Sequence, residues 1–273
     1  MDFRSHLGRP IDFRRKSNLA IAAIVLISGV VGVVLWLNGE PGERAVAPVY
    51  VFLVWALARE LDPDHDWAAL VAAVGIAVWT LVGGPVSTGF AIAGLMVAAR
   101  ITTSTTGRRP LPTDLAALTV FGVAIGFSVE GWLAGFGIAL AIYLDDRLRE
   151  ENRRSAVAAS ALTAIGTTIL ANLTGAFPEV APDISQPVTV VAGIVALLLL
   201  ARDPAAPISQ VDARHAAFMD GTRLHLSRSL VGILVFLMAI LTGVSADGLV
   251  VVIATLALAV ISNELALLRR REL

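Results

Sequence analysis

The chain has 273 residues, 56% of them hydrophobic and only 16% charged, with a mean hydropathy of +0.78. Water-soluble domains are about a quarter charged and under half apolar, so a soluble enzyme and a disordered chain are both excluded at this step. A formal net charge of −1 leaves no basic excess for nucleic acid, and the absence of cysteine excludes disulfides, thiolate-bound metals and a cysteine nucleophile. The composition predicts an all-α, polytopic transmembrane helix bundle in the plasma (inner) membrane.

A bilayer core about 30 Å thick needs about 20 apolar residues per crossing helix. Ten segments approach that length: 18–37, 45–61, 66–82, 85–101, 114–129, 131–144, 155–176, 187–201, 227–244 and 246–268. Residues 1–17 then form a basic cytoplasmic tail, 18–268 a single ten-helix domain and 269–273 a short cytoplasmic tail. The order of the first 38 residues, basic then apolar, resembles a secretory signal. Its apolar run of about 20 residues exceeds the usual 7–15, which favours a retained helix.

Arginine placement predicts the orientation. With both termini cytoplasmic, 20 of the 21 Lys and Arg residues fall on inner segments and only Arg44 lies outside. Fusing the fifth and sixth segments through Glu130 would flip everything beyond and place 12 outside against 9 inside. Ten separate spans fit the rule far better.

The polar chemistry gathers on the inner connections. In Arg59-Glu-Leu-Asp-Pro-Asp-His-Asp66 the carboxylates of Asp62, Asp64 and Asp66 alternate, offering hard oxygens to Mg²⁺. The competing reading is a Pro-bent turn in which Asp66 caps the next helix and Arg59 pairs with a neighbour. Asp114 is placed to cap the fifth segment in the same way, and Ser155 the seventh. In Ala99-Arg-Ile-Thr-Thr-Ser-Thr-Thr-Gly-Arg-Arg-Pro110, hydroxyl and guanidinium donors converge without an intervening acid, which suits an oxyanion. Arg100, Thr105 and Thr106 are the candidate ligand-binding residues there; a flexible polar turn is the alternative. The run Tyr143-Leu-Asp-Asp-Arg-Leu-Arg-Glu-Glu151 reads as a solvated helix end laced with i to i+4 pairs. Adjacent Asp145 and Asp146 sit about 100° apart on a helix, so one at most is expected to face inward. Glu264, about a turn and a half before Arg269, is the candidate intramembrane carboxylate, with Arg59, Arg100 or Arg202 as its partner. Thr163, Thr167, Thr168 and Asn172 form a stripe that reads as a helix-packing surface. The four histidines supply no pair at metal spacing on one helix.

Three functions fit. A small-molecule or ion permease would bind or gate at Arg59, Arg100, Arg202, Glu264, Thr105 and Thr106. A membrane enzyme acting on a lipid-linked phosphate or diphosphate would hold Mg²⁺ on Asp62, Asp64 and Asp66 beside the arginines. An accessory subunit would offer packing surfaces alone. The expected partners are the lipid bilayer, a small-molecule or lipid-phosphate ligand, and further copies or a larger membrane complex; nucleic acid is not among them.

Overall fold

A computed structural model describes residues 14–83, 89–105, 109–177, 187–200, 219–241, 252–258 and 261. Every regular element among them is helical. Helix α1 runs Lys16–Leu37, and a 3₁₀ turn, Gly42–Val46, leads into α2, Ala47–Leu61. Pro48 sits in the first turn of α2, where its missing N–H is no loss. Pro63 prevents α2 from continuing, and α3 spans Asp66–Leu81. Next come α4, Gly89–Thr103, and α5, Pro112–Ala124, which opens on proline. The N–H of Leu111 donates to the carboxylate of Asp114 at 3.0 Å, so Asp114 does close the start of α5.

A 3₁₀ turn, Ile125–Phe127, separates α5 from α6, Val129–Leu148. Ser128 is extended (φ −128°, ψ 161°), and its hydroxyl accepts from the N–H of Gly131 at 3.1 Å as an N-cap. The fifth and sixth segments are therefore separate helices. Helix α7 covers Arg154–Thr174 and ends where Gly175 turns left-handed (φ 68°), sending the N–H of Ala176 back to the carbonyl of Ala171 at 2.8 Å. Helices α8, Pro187–Leu200, and α9, Gly221–Leu241, follow, and 252–258 is again helical. Each of the ten expected segments thus coincides with a helix, the tenth over 252–258 only.

Three of these helices, α1, α7 and α9, are long and apolar enough to cross a membrane. Helices α2 to α5 and α8 have 13–16 residues. At 1.5 Å per residue they measure roughly 20–24 Å, short of the hydrocarbon core by themselves.

The helices group into two compact units, one holding α1–α3 with 252–258 and the other α4, from Phe90, through α9. In the first, α2 and α3 form a hairpin with α1 packed on both. In the second, α6 is central, touching α5, α7 and α9, while α5 also packs on α7 and α8 on α9.

On α7 and α3 the packing is inverted relative to a water-soluble helix bundle. Along α7 the buried positions are Ala156, Ala159, Thr163, Thr167 and Ala171, whereas Leu162, Ile165, Ile169 and Leu173 face outward. Helix α3 repeats the pattern, burying Ala69, Ala72, Ala73 and Ile76 and exposing Val71, Val74 and Val78. In water the larger side chains would face inward. Small residues inside instead let backbones approach closely. At the α5–α6–α7 contact a Cβ on Gly135 would collide with the carbonyl of Gly122 and lie 2.7 Å from Thr167 Oγ1. The expected threonine stripe belongs to this contact. Thr163 donates to the carbonyl of Ala159 at 2.8 Å, and Trp132 Nε1 donates to Thr168 at 3.3 Å. Asn172, by contrast, is exposed.

Candidate functional site

Each unit gathers charged side chains where particular helix ends meet. In the first unit these are the start of α1, the end of α2 and the start of α3. Arg59, in the last turn of α2, donates through Nη1 to Asn18 Oδ1 at 2.8 Å. Its Nη2 lies 3.4 Å from Asp66, and its guanidinium sits 5.2 Å from the centre of the Trp55 ring. A cation over an indole face is held by the ring quadrupole. Asp62 is buried and pairs with His65 Nδ1 at 2.9 Å, whereas Asp64 is exposed. Asp62 and Asp66 thus engage different side chains, His65 and Arg59. Among the described residues no three His, Cys, Asp or Glu are grouped to hold a metal ion. Asp66 lies in the first turn of α3, after the cap position His65, and its carboxylate goes to Arg59. There it opposes the positive end of the helix dipole without capping.

The second unit holds a larger cluster at the ends of α4 and α6 and the starts of α5, α7 and α9. Asp145, 1% exposed, accepts from Arg149 Nε with both oxygens, at 3.0 and 3.1 Å. It also accepts from Arg223 Nη1 at 2.7 Å. Arg223, in the first turn of α9, donates as well to the carbonyl of Thr102 at 3.4 Å, and Arg149 Nη2 donates to Ser104 Oγ. Asp146 is equally buried and binds Arg153 twice, through its backbone N–H at 3.0 Å and through Nε at 3.2 Å. Since Arg153 is the N-cap residue of α7, a carboxylate from α6 closes the start of the next helix; Ser155 does not. Arg153 Nη1 reaches the carbonyl of Pro110, just before α5, at 3.2 Å.

The expectation that only one of Asp145 and Asp146 faces inward is corrected: both are buried. Helix α6 is surrounded on several sides, so positions 100° apart each meet a different neighbour. The chain then doubles back over the end of α6. Ser104, Glu150 and Asn152 are the non-glycine residues with positive φ among the described residues, at 53°, 56° and 49°. All three lie in the two turns that build this cluster. Such backbone strain concentrates at sites whose geometry the surroundings enforce.

The other anticipated site residues are placed as follows. Arg100 is half-buried in the last turn of α4. The hydroxyls of Thr102 and Thr103 turn back to the carbonyls of Ala98 and Ala99, at 3.0 and 2.9 Å. Thr105 follows α4, 2% exposed, with no hydrogen-bond partner for Oγ1 among the described residues. Thr106, Arg202 and Glu264 lie outside the described residues. The expected i to i+4 pairing joins Asp145 to Arg149, but sequence reasoning missed Arg223 and Arg153 as structural partners of the aspartates. A signal was present for Asp145 and Asp146, because no helix breaker separates them from the apolar run before them.

The chain matches no family model, no curated protein and no solved structure.

Proposed function

We propose that the chain spans the inner membrane ten times with both termini cytoplasmic, as a small-molecule or ion permease whose polar binding and gating residues lie at the cytoplasmic helix ends. One observation carries this reading: the sidedness of the charge contacts within each unit. Every ion pair and arginine hydrogen bond described above joins ends that alternate crossing assigns to one side, namely helix starts for α1, α3, α5, α7 and α9 and helix ends for α2, α4 and α6. The pair Arg44–Glu40, at 2.9 Å, lies between α1 and α2, on the opposite side. A bilayer imposes this segregation, since charges are excluded from its core and arginine is retained on the inner face. The apolar outward faces of α3 and α7 support lipid contact. The shorter helices reach across with their polar ends in the interface. Carboxylates already engaged by arginines and by His65 speak against the lipid-phosphate enzyme, which needs acidic oxygens free for Mg²⁺.

Two measurements test the proposal. The chain has no cysteine, so single-cysteine variants report cleanly. Thr174→Cys and Arg154→Cys lie at the exposed ends of α7, about 30 Å apart along the helix. A membrane-impermeant maleimide applied to intact cells is expected to label the first and spare the second; labelling of both, or of Arg154→Cys alone, overturns the topology. Transport is probed at Ser227, fully buried one turn beyond Arg223, where its hydroxyl donates to the carbonyl of Ala99 at 3.3 Å. A permease must admit water there in one of its states, so Ser227→Cys in inside-out vesicles is expected to react with a small charged thiosulfonate. A thiol that stays silent favours a closed accessory subunit.

A further inference from the structure

We propose that the end of α4 is an oxyanion-binding site, with the Thr105 hydroxyl and the Arg223 guanidinium as principal donors and a phosphoryl group as the ligand chemistry. Three observations converge there. Thr105 Oγ1 is shielded from solvent and has no hydrogen-bond partner among the described residues. A buried hydroxyl left unpaired is destabilising unless something accepts from it. It is one residue from Ser104, which contacts Arg149, and three from Thr102, whose carbonyl receives Arg223. Arg223 is 9% exposed and commits only Nη1, to Asp145 and Thr102, so its Nε and Nη2 donate to no described residue. Finally, its one acidic partner among the described residues, Asp145, is shared with Arg149.

A buried guanidinium with half an anion and unused donors is an arrangement that a bound anion completes. The donors come from the end of α4 and the start of α9. A hydroxyl on one element and a guanidinium on another are not the coplanar fork that pairs with a carboxylate. That favours a tetrahedral phosphoryl group over a planar carboxylate. The positive φ of Ser104 marks the turn between Thr102, whose carbonyl receives Arg223, and Thr105. In this arrangement Asp145 is an internal competitor that holds the arginines until an external oxyanion arrives.

The inference deepens the permease reading and rests on it for the ligand's access from the cytoplasm; binding itself is read on the purified chain without flux. The protein is placed in phosphatidylcholine nanodiscs and titrated with inorganic phosphate, against chloride at equal ionic strength, following thermal stability. Phosphate is expected to stabilise where chloride does not. Thr105→Val, which keeps the charge and nearly the shape, is expected to weaken phosphate binding about tenfold. Asp145→Asn is expected to tighten it by a similar factor, because the competing charge is gone, whereas a purely structural aspartate would give no gain. If Asp145→Asn does not fold, Thr105→Val decides alone. Equal effects of phosphate and chloride, or wild-type affinity in Thr105→Val, overturn the site. Adding phosphatidic acid to the nanodiscs separates the sources. Competition with free phosphate assigns the site to a lipid headgroup, and its absence assigns it to a soluble phosphate compound. Binding without phosphate flux in liposomes removes transport and leaves the site; flux indifferent to Thr105→Val removes the site and leaves transport.

Discussion

Replacing Asp145 with alanine is expected to destabilise the chain by about 3–5 kcal/mol, the range for removing one partner from a buried charge pair. The carboxylate is 1% exposed and holds two guanidinia from different elements, Arg149 beyond α6 and Arg223 on α9. Without it, two cations face each other at helix ends where water does not compensate. Arg223→Ala should be milder, about 1–3 kcal/mol, because both Asp145 oxygens keep their contact to Arg149 Nε. The double variant Asp145→Ala/Arg223→Ala should then fall short of the sum of the single effects by about 0.5–3 kcal/mol, the signature of direct coupling. Unfolding in mixed micelles measures all three. A loss below about 1 kcal/mol for Asp145→Ala would mean that the cluster is hydrated and behaves as a surface ion pair.

The same cluster marks where sequence reading stops. Helix positions are legible because each apolar run is punctuated by residues with a local mechanism. Pro63 stops α2, Ser128 caps α6, and Gly175 ends α7 in the left-handed region, which costs glycine little. The pairing of Arg59 with a nearby carboxylate is legible too, since both lie within one hairpin. The burial of Asp145 and Asp146 is not. A charged helix end looks identical in sequence whether water or other helices cover it, and the difference arises from α9, far along the chain, and from the chain doubling back into α7 just seven residues on. Arg223 is hidden for a related reason. Helix α9 begins at Gly221, six residues before its apolar run, so that a residue expected in a connecting loop becomes a buried first-turn donor. The threonine at 105 lay in a recognised hydroxyl-rich stretch, but which hydroxyl remains unpaired depends on Thr102 and Thr103 turning back onto their own helix.

The other large effect concerns glycines that look interchangeable in sequence and differ in sign. At Gly135 a methyl group would strike the carbonyl of Gly122 and crowd Thr167, both held in the α5–α6–α7 contact. A backbone carbonyl cannot swing aside as a side-chain tip does, so the helices must separate. Gly135→Ala is therefore expected to destabilise by about 1–3 kcal/mol, and Gly135→Leu to prevent assembly of the second unit. Gly75, in the interior of α3, has nothing within 4 Å of the position a Cβ would take. There Gly75→Ala is expected to stabilise by about 0.5–1 kcal/mol, through helix propensity alone. The pair is read in one unfolding experiment on the two alanine variants. If both shift in the same direction, close backbone approach does not hold α5, α6 and α7 together. Opposite shifts tie the assembly to close contact between small residues, Gly122 and Gly135 against Thr163 and Thr167.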